Sequence, residues 1–168
     1  TLASKLKDHA RLSARSAFRT QVLFDTDRLL QKAKSNDDIL SVTCMQLSRL
    51  LDRSIVAYTK SENGMSTGRL FAEKKYTYSE NLLNAAEQKA AEWAFQNGRR
   101  TGATTAQFGK SECLYLAIRA GDRVYGVIGI PMRPEKPDSF ENSIVLSVVN
   151  ECALAMDNTH NAAEKEQI

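Results

Sequence analysis

Residues 2–34 contain neither glycine nor proline. Nothing there interrupts a helix, and the pattern predicts one long helix at the front of the chain. Its apolar positions, among them Leu2, Leu6, Ala10, Ala17, Phe18, Leu29 and Leu30, are sparse before Arg19 and denser behind it. A front half so polar cannot hold itself by burying a face, so it calls for a partner helix or a membrane surface. Lys7, Arg11, Arg15 and Arg19 recur every four positions and form one stripe along that helix. Such a stripe is either a solvated face or a surface for anionic lipid.

The two ends differ in charge. Residues 1–34 carry eight basic and three acidic side chains, while residues 138–168 carry one basic and six acidic. A formal net charge of +3 therefore conceals +5 at the front and −5 at the back. Opposite signs predict that the terminal segments lie near each other. Nucleic acid is not an expected partner, because no single basic face is interleaved with aromatics or backed by a reading helix.

At 168 residues the chain suits one domain of ordinary size. Its uncharged stretches, such as 124–132 and 142–150, fall far short of the roughly 20 apolar residues that cross a bilayer. No apolar leader core follows the first residue, and a start at Thr1 reads as a piece of something longer. The cysteines are Cys44, Cys113 and Cys152 and the histidines His9 and His160, with no paired ligand spacing among them. Neither a zinc module nor any other metal site or cofactor is expected. Isolated thiols suit a reducing, cytoplasmic setting.

A second helix is predicted to start after Ser35-Asn36-Asp37-Asp38, where a polar side chain can accept from the first free N–H groups. Ile39, Val42, Gln46 and Leu50 mark one face and Leu40, Cys44, Leu47 and Leu51 another, so the helix is buried on both sides and Cys44 is a packing residue. The period then changes to two. Ser54–Thr59 reads as a strand, Ser61–Gly64 as a turn and Arg69–Ala72 as a weaker strand. Asn84 with Glu87 opens a helix over 85–96 that ends at Gly98, with Ala86, Ala90, Trp93 and Ala94 as its expected inner face. Thr101–Phe108 is a loop or edge segment. Leu114–Arg119 and Arg123–Pro131 flank Ala120-Gly121-Asp122 as a β-hairpin expected to supply the central strands, with Trp93 packed on them. All three prolines fall within 131–137, and Asp138-Ser139-Phe140-Glu141 opens a last helix. Val145, Val149, Cys152, Met156, Thr159 and Ala163 follow at alternating steps of four and three, a heptad seam with Val149 and Met156 as expected dimer contacts. The sum is an α+β fold with long helices at both termini.

No Ser/His/Asp set forms. Gly126 and Gly129 lie inside a strand, where close backbone packing explains them better than a phosphate loop. The Val127–Ile130 strand end invites comparison with acyl-CoA N-acetyltransferases, but the Pro131–Pro137 turn offers no glycine and few free N–H groups for a pyrophosphate. His160 precedes Asn161-Ala162-Ala163, unlike a phosphoacceptor, and reads as a solvated helix position.

Four segments in order carry a resemblance: Trp93-x-Phe95-x-x-Gly98, Thr101-Gly102-x-x-Thr105, Leu114–Arg119 and Tyr125–Gly129. Together they resemble the GAF-type domain of KdpD sensor histidine kinases, the osmosensitive, potassium-responsive kinases. Ala10–Thr20 is similar to the basic helix after the last transmembrane segment there, and Glu164–Ile168 to the linker entering the phosphoacceptor helix. The resemblance implies a GAF-like antiparallel sheet with the terminal helices on one face. It divides the chain into a juxtamembrane signalling helix (1–34), a GAF-like core (35–137) and a helix leading to the kinase (138–168). It also implies a parent with membrane helices, an ATP-dependent kinase core and a response regulator, in which this non-enzymatic segment is a dimeric cytoplasmic relay of an inner-membrane protein. The Asn-Lys-x-Asp/Glu signature of cyclic-nucleotide GAF domains is not present.

Two other readings compete. A small-molecule receptor, with a nucleotide-like ligand, would place Tyr58, Trp93, Thr105 and Tyr115 around a pocket over the sheet. A GAF-fold methionine sulfoxide reductase would need cysteines gathered at one pocket, which the separate predicted elements disfavour.

Overall fold

The structure, a computed structural model, describes residues 1–76 and 81–166. Gln167 and Ile168, in the stretch resembling a kinase linker, lie outside the described residues. Among the described residues four helices, α1 (Leu2–Lys32), α2 (Asn36–Leu51), α3 (Ala85–Asn97) and α4 (Ser139–Glu166), surround six strands. These are β1 (Ile55–Ser61), β2 (Gly64–Met65), β3 (Arg69–Phe71), β4 (Thr101–Gly102), β5 (Cys113–Ala120) and β6 (Arg123–Pro131). The sheet runs β2-β1-β6-β5-β4 with β3 also paired to β1, and every pairing is antiparallel. The β5–β6 hairpin is central, as its apolar run predicts.

Helix boundaries follow local chemistry. Ser35 Oγ accepts from Asp38 N at 3.1 Å, Asn84 Oδ1 accepts from Glu87 N at 2.9 Å, and Gly98 closes α3 in the left-handed region at φ 63°. Asp138 and Glu141 form a reciprocal box at α4: Glu141 N donates to Asp138 Oδ1 at 2.8 Å and Asp138 N donates to Glu141 Oε1 at 3.0 Å.

Side chains alternate along the strands into two cores. Ile55, Ala57, Leu114, Leu116, Ile118, Ile128 and Ile130 face α1, α2 and α4. Val56, Tyr58, Cys113, Tyr115 and Val127 face α3. A register shift at Ile118/Arg119 makes a bulge that turns Tyr125 to the three-helix side, where its hydroxyl donates to Asp157 of α4. Glycine is required where strands and rings crowd: a Cβ on Gly126 would sit 2.3 Å from Tyr58 O, and one on Gly129 2.6 Å from Tyr115 Cε1.

The inner face of α3 differs from expectation. Glu87, Ala90, Ala91 and Ala94 are buried, Ala86 is exposed, and Trp93 is half-buried outside the core on that face. Small alanines let α3 lie close to the sheet, and the tyrosines of the sheet, with Phe95 at the margin, fill the space expected of Trp93.

Candidate functional site

The arrangement that can do work is the pairing of the two terminal helices. Arg19 of α1 reaches the start of α4: its Nη2 donates to Asp138 Oδ2 at 2.9 Å and lies 3.6 Å from Glu141. Its guanidinium also stacks over Phe140, 5.4 Å from the ring centroid. Two turns on, Asp27 of α1 meets Glu151 of α4. Residue numbers rise together at both contacts, so α1 and α4 run in the same direction. Helix α2 returns antiparallel beside α1, with Gln46 Nε2 donating to Val22 O and Thr26 Oγ1 at 3.4 and 3.3 Å.

Parallel packing with a stagger carries each helix past the other at opposite ends. Residues 1–18 are all exposed, so the front of α1, with Leu2 at 75% and Leu6 at 62% exposure, projects from one end. At the other end α4 continues past Lys32, the last residue of α1, and is gripped by the β5–β6 hairpin. Arg123 donates to Asn161 at 3.2 Å and lies 3.9 Å from Asp157 and 3.7 Å from Glu164, while His160 pairs with Glu164 at 3.0 Å.

The expected basic stripe is divided by this packing. Arg19 is only 8% exposed and satisfied by Asp138 and Glu141, so it faces the protein and not a membrane. Arg15 lies 3.9 Å from Asp138 and is exposed, as are Lys7 and Arg11. Arg11 and Arg15 line an open cleft of about 790 Å³ with Arg49, Arg53, Lys136 and the acids Asp52, Glu73, Glu135 and Glu141. Arg53 is structural: Nη1 donates to Pro131 O and Glu135 O, both at 2.7 Å, and burial lowers its pKa.

Val149 and Met156 are corrected as dimer contacts. Both are buried within the chain's own three-helix core, because the heptad-like seam of α4 is the face turned to its own sheet and to α2. The large apolar residues that α4 leaves exposed are Phe140, Leu146 and Leu154.

Of the residues expected around a pocket, the structure brings Tyr58 and Tyr115 together, with ring centroids 6.5 Å apart and both side chains buried. Thr105 lies in the loop after β4, its hydroxyl hydrogen-bonded to Gly102 O at 2.8 Å and Gln107 O at 2.7 Å. Trp93 stands half-exposed on α3. The residue that organises this side is Glu87, which sequence reasoning assigned only to a helix start. Its carboxylate turns inward and accepts from Glu112 N at 3.1 Å, Cys113 N at 3.2 Å and Tyr115 Oη at 2.8 Å. Burial pushes Tyr58 and Cys113 each up to about 12 and Tyr115 further still, so all three stay protonated. Nothing in the sequence marked it off from an ordinary capping-position Glu, because its partners Glu112, Cys113 and Tyr115 lie 25 to 28 residues further along.

No family model matches the chain. A curated relative, the sensor protein KdpD of Clostridium acetobutylicum, is 28% identical over 173 residues, covering 99% of this chain and 19% of the relative. The chain thus spans about a fifth of that protein's length. Among solved structures, the GAF domain of the potassium sensor histidine kinase KdpD from Escherichia coli aligns with a TM-score of 0.65 at 17% identity, covering 87% of this chain and 98% of that one. The GAF domain of an Acinetobacter phosphoenolpyruvate-protein phosphotransferase aligns with a TM-score of 0.60 at 14% identity, covering 88% and 98%. The fold is that of a GAF domain. Relative and structure together support the resemblance that the motifs carry, to the GAF-type domain of a KdpD-like sensor.

Proposed function

We propose that this chain is the relay domain of a membrane-bound, potassium-responsive sensor histidine kinase, passing a displacement from membrane helices to the kinase core. The observation that supports it is the parallel α1–α4 pair, whose outer ends lie on opposite sides of the domain. A push or rotation entering through the front of α1 acts on α4 through Arg19 at one end and the Asp27–Glu151 contact further along. Packed helices settle into discrete arrangements, which suits a relay between two states.

In this reading the segment performs no catalysis; ATP binding, phosphotransfer and the response regulator belong to the rest of the parent. It sits on the cytoplasmic side of the membrane. The exposed front of α1 pairs with the same helix of a second copy through Leu2 and Leu6, which have no partner within the described residues. Lys7, Arg11 and Arg15 are left for anionic headgroups, each worth about 1 kcal/mol near such a surface.

The gene on either side of the segment tests the assignment. Hydrophobic spans just upstream and a histidine kinase core just downstream are expected, and their absence would overturn it. Light scattering across a concentration series tests the dimer: a monomer–dimer shift that Leu2→Asp and Leu6→Asp abolish is expected. Monomer at every concentration, with no crosslinking along α1 in the membrane-bound parent, contradicts it.

A further inference from the structure

The α1–α4 seam contains one polar contact that neither capping nor ion pairing explains. The carboxyl groups of Asp27 and Glu151 meet within hydrogen-bonding reach, and Glu151 Oε2 is buried without a donor among the described residues. Within those residues neither carboxyl has a basic partner. By contrast Asp25, two positions earlier, has Arg49 at 3.7 Å and Gln21 Nε2 at 3.0 Å. Two ionised carboxylates in contact repel, whereas one shared proton makes one of them a donor to the other. We propose that Asp27 and Glu151 share a proton across the seam between the entering and leaving helices, which hold together in the protonated form and are driven apart when it is lost.

The surroundings leave this pair to titrate by itself. From α2, Thr43 and Gln46 approach the seam and carry no charge, while Arg49 is engaged by Asp25. Cys44 and Cys152 are both thiols raised by burial, Cys152 to about 11, and stay neutral across the physiological range. Strand β5, which packs on α4, turns apolar Leu114, Leu116 and Ile118 to this side of the sheet. On α4 itself, Asp157 is taken by Tyr125 and Arg123. Burial first, and then the Asp27 neighbour, push Glu151 up to about 7. For an acid with a raised pKa, the contact is favoured in full below the ordinary glutamate value of 4.5, weakens as pH rises and has lost that support above about 7.

This inference depends on the relay reading only for its consequence in a kinase; the proton is a property of the chain itself. Carboxyl-carbon NMR of the 168-residue chain between pH 4 and pH 9 reads it directly. Glu151 is expected to titrate near neutrality, and to fall toward the ordinary glutamate range in Asp27→Asn. Hydrogen exchange, corrected for intrinsic rate, should show residues 20–30 losing about tenfold in protection from pH 6 to pH 8 in the wild type and not in Glu151→Gln. An ordinary carboxylate titration for Glu151 in the wild-type chain, or the same pH dependence in both chains, overturns the proposal. An intact titration with no pH response of the kinase in the parent supports the shared proton and overturns the relay reading.

Discussion

On one face of the sheet α1, α2 and α4 lie over a broad aliphatic core, and its polar contacts include two between helices, at Arg19–Asp138 and Asp27–Glu151, beside the Tyr125–Asp157 bond that ties α4 to β6. On the other face a single alanine-lined helix, α3, lies over Tyr58 and Tyr115, and the polar group is one carboxylate, Glu87, bonded to two backbone N–H groups and a phenol. In the relay proposed above the first face is the one that moves, because its charged contacts link separate helices across aliphatic packing. The second is pinned, because hydrogen bonds to a strand fix the angle and depth of α3. For that relay the difference puts movement on the three-helix face and rigidity on the α3 face, where Glu87 ties the helix to Tyr115 and the start of β5.

The largest effect should come from the strand shared by both faces. Ile128, fully buried on central β6, becomes Asn in a variant that leaves a polar group unpaired and a space unfilled. Urea unfolding followed by circular dichroism should show a loss of about 3–5 kcal/mol. Wild-type stability would mean that the two faces do not depend on a common sheet. Next comes Glu87→Ala, which strands the Tyr115 hydroxyl and the N–H groups of Glu112 and Cys113 at a cost of about 2–3 kcal/mol.

The three thiols sharpen the contrast. All are buried; Cys113 belongs to the α3 face and Cys44 and Cys152 to the three-helix face. Burial raises the pKa of each, so iodoacetamide at pH 8 should leave the native chain unmodified and label all three in denaturant. In Glu87→Ala, mass spectrometry of digested peptides should find Cys113 labelled well before the other two. Equal labelling would show that the faces do not open separately.

Arg19→Ala should cost less, about 1 kcal/mol, since Asp138 is well exposed. The N–H of Glu141 first, and Arg19 with it, hold the Asp138 carboxyl below its ordinary value of 3.8. The stabilisation it gives is therefore present above that value and lost as pH falls through the lower folded value. An acid-unfolding midpoint that is identical in Arg19→Ala would contradict the contact. Lys7→Gln should leave stability unchanged within about 0.5 kcal/mol while weakening sedimentation with anionic vesicles at low salt.

Much of this frame was legible in the sequence. The capping residues at Asn84 and Asp138, the hairpin and the strand glycines 126 and 129 follow from local rules that tertiary packing did not override, while the polar run before α2 marked its start but not its cap, Ser35, which opens the helix three residues earlier than expected. The helix faces were less legible. Spacing shows that Val149 and Met156 share a stripe, but not whether that stripe meets the chain's own sheet or a second copy. Arg19 looked like its neighbours Arg11 and Arg15 because a periodic stripe does not reveal where a partner helix begins. Glu87 and the Asp27–Glu151 pair escaped because their partners are distant in the chain, and a lone acid in a helix carries no mark of what will lie opposite it.

The coupling of α1 to α4 is tested most directly by hydrogen exchange along α4 in the Arg19→Ala chain. The contact removed lies at the first turn of α4, against Asp138 and Glu141. If the two helices act as one element, protection should fall through Glu151 and on to Asp157, far beyond the site of substitution. A loss confined to the first two turns, with residues 150–160 exchanging as in the wild type, would contradict the relay.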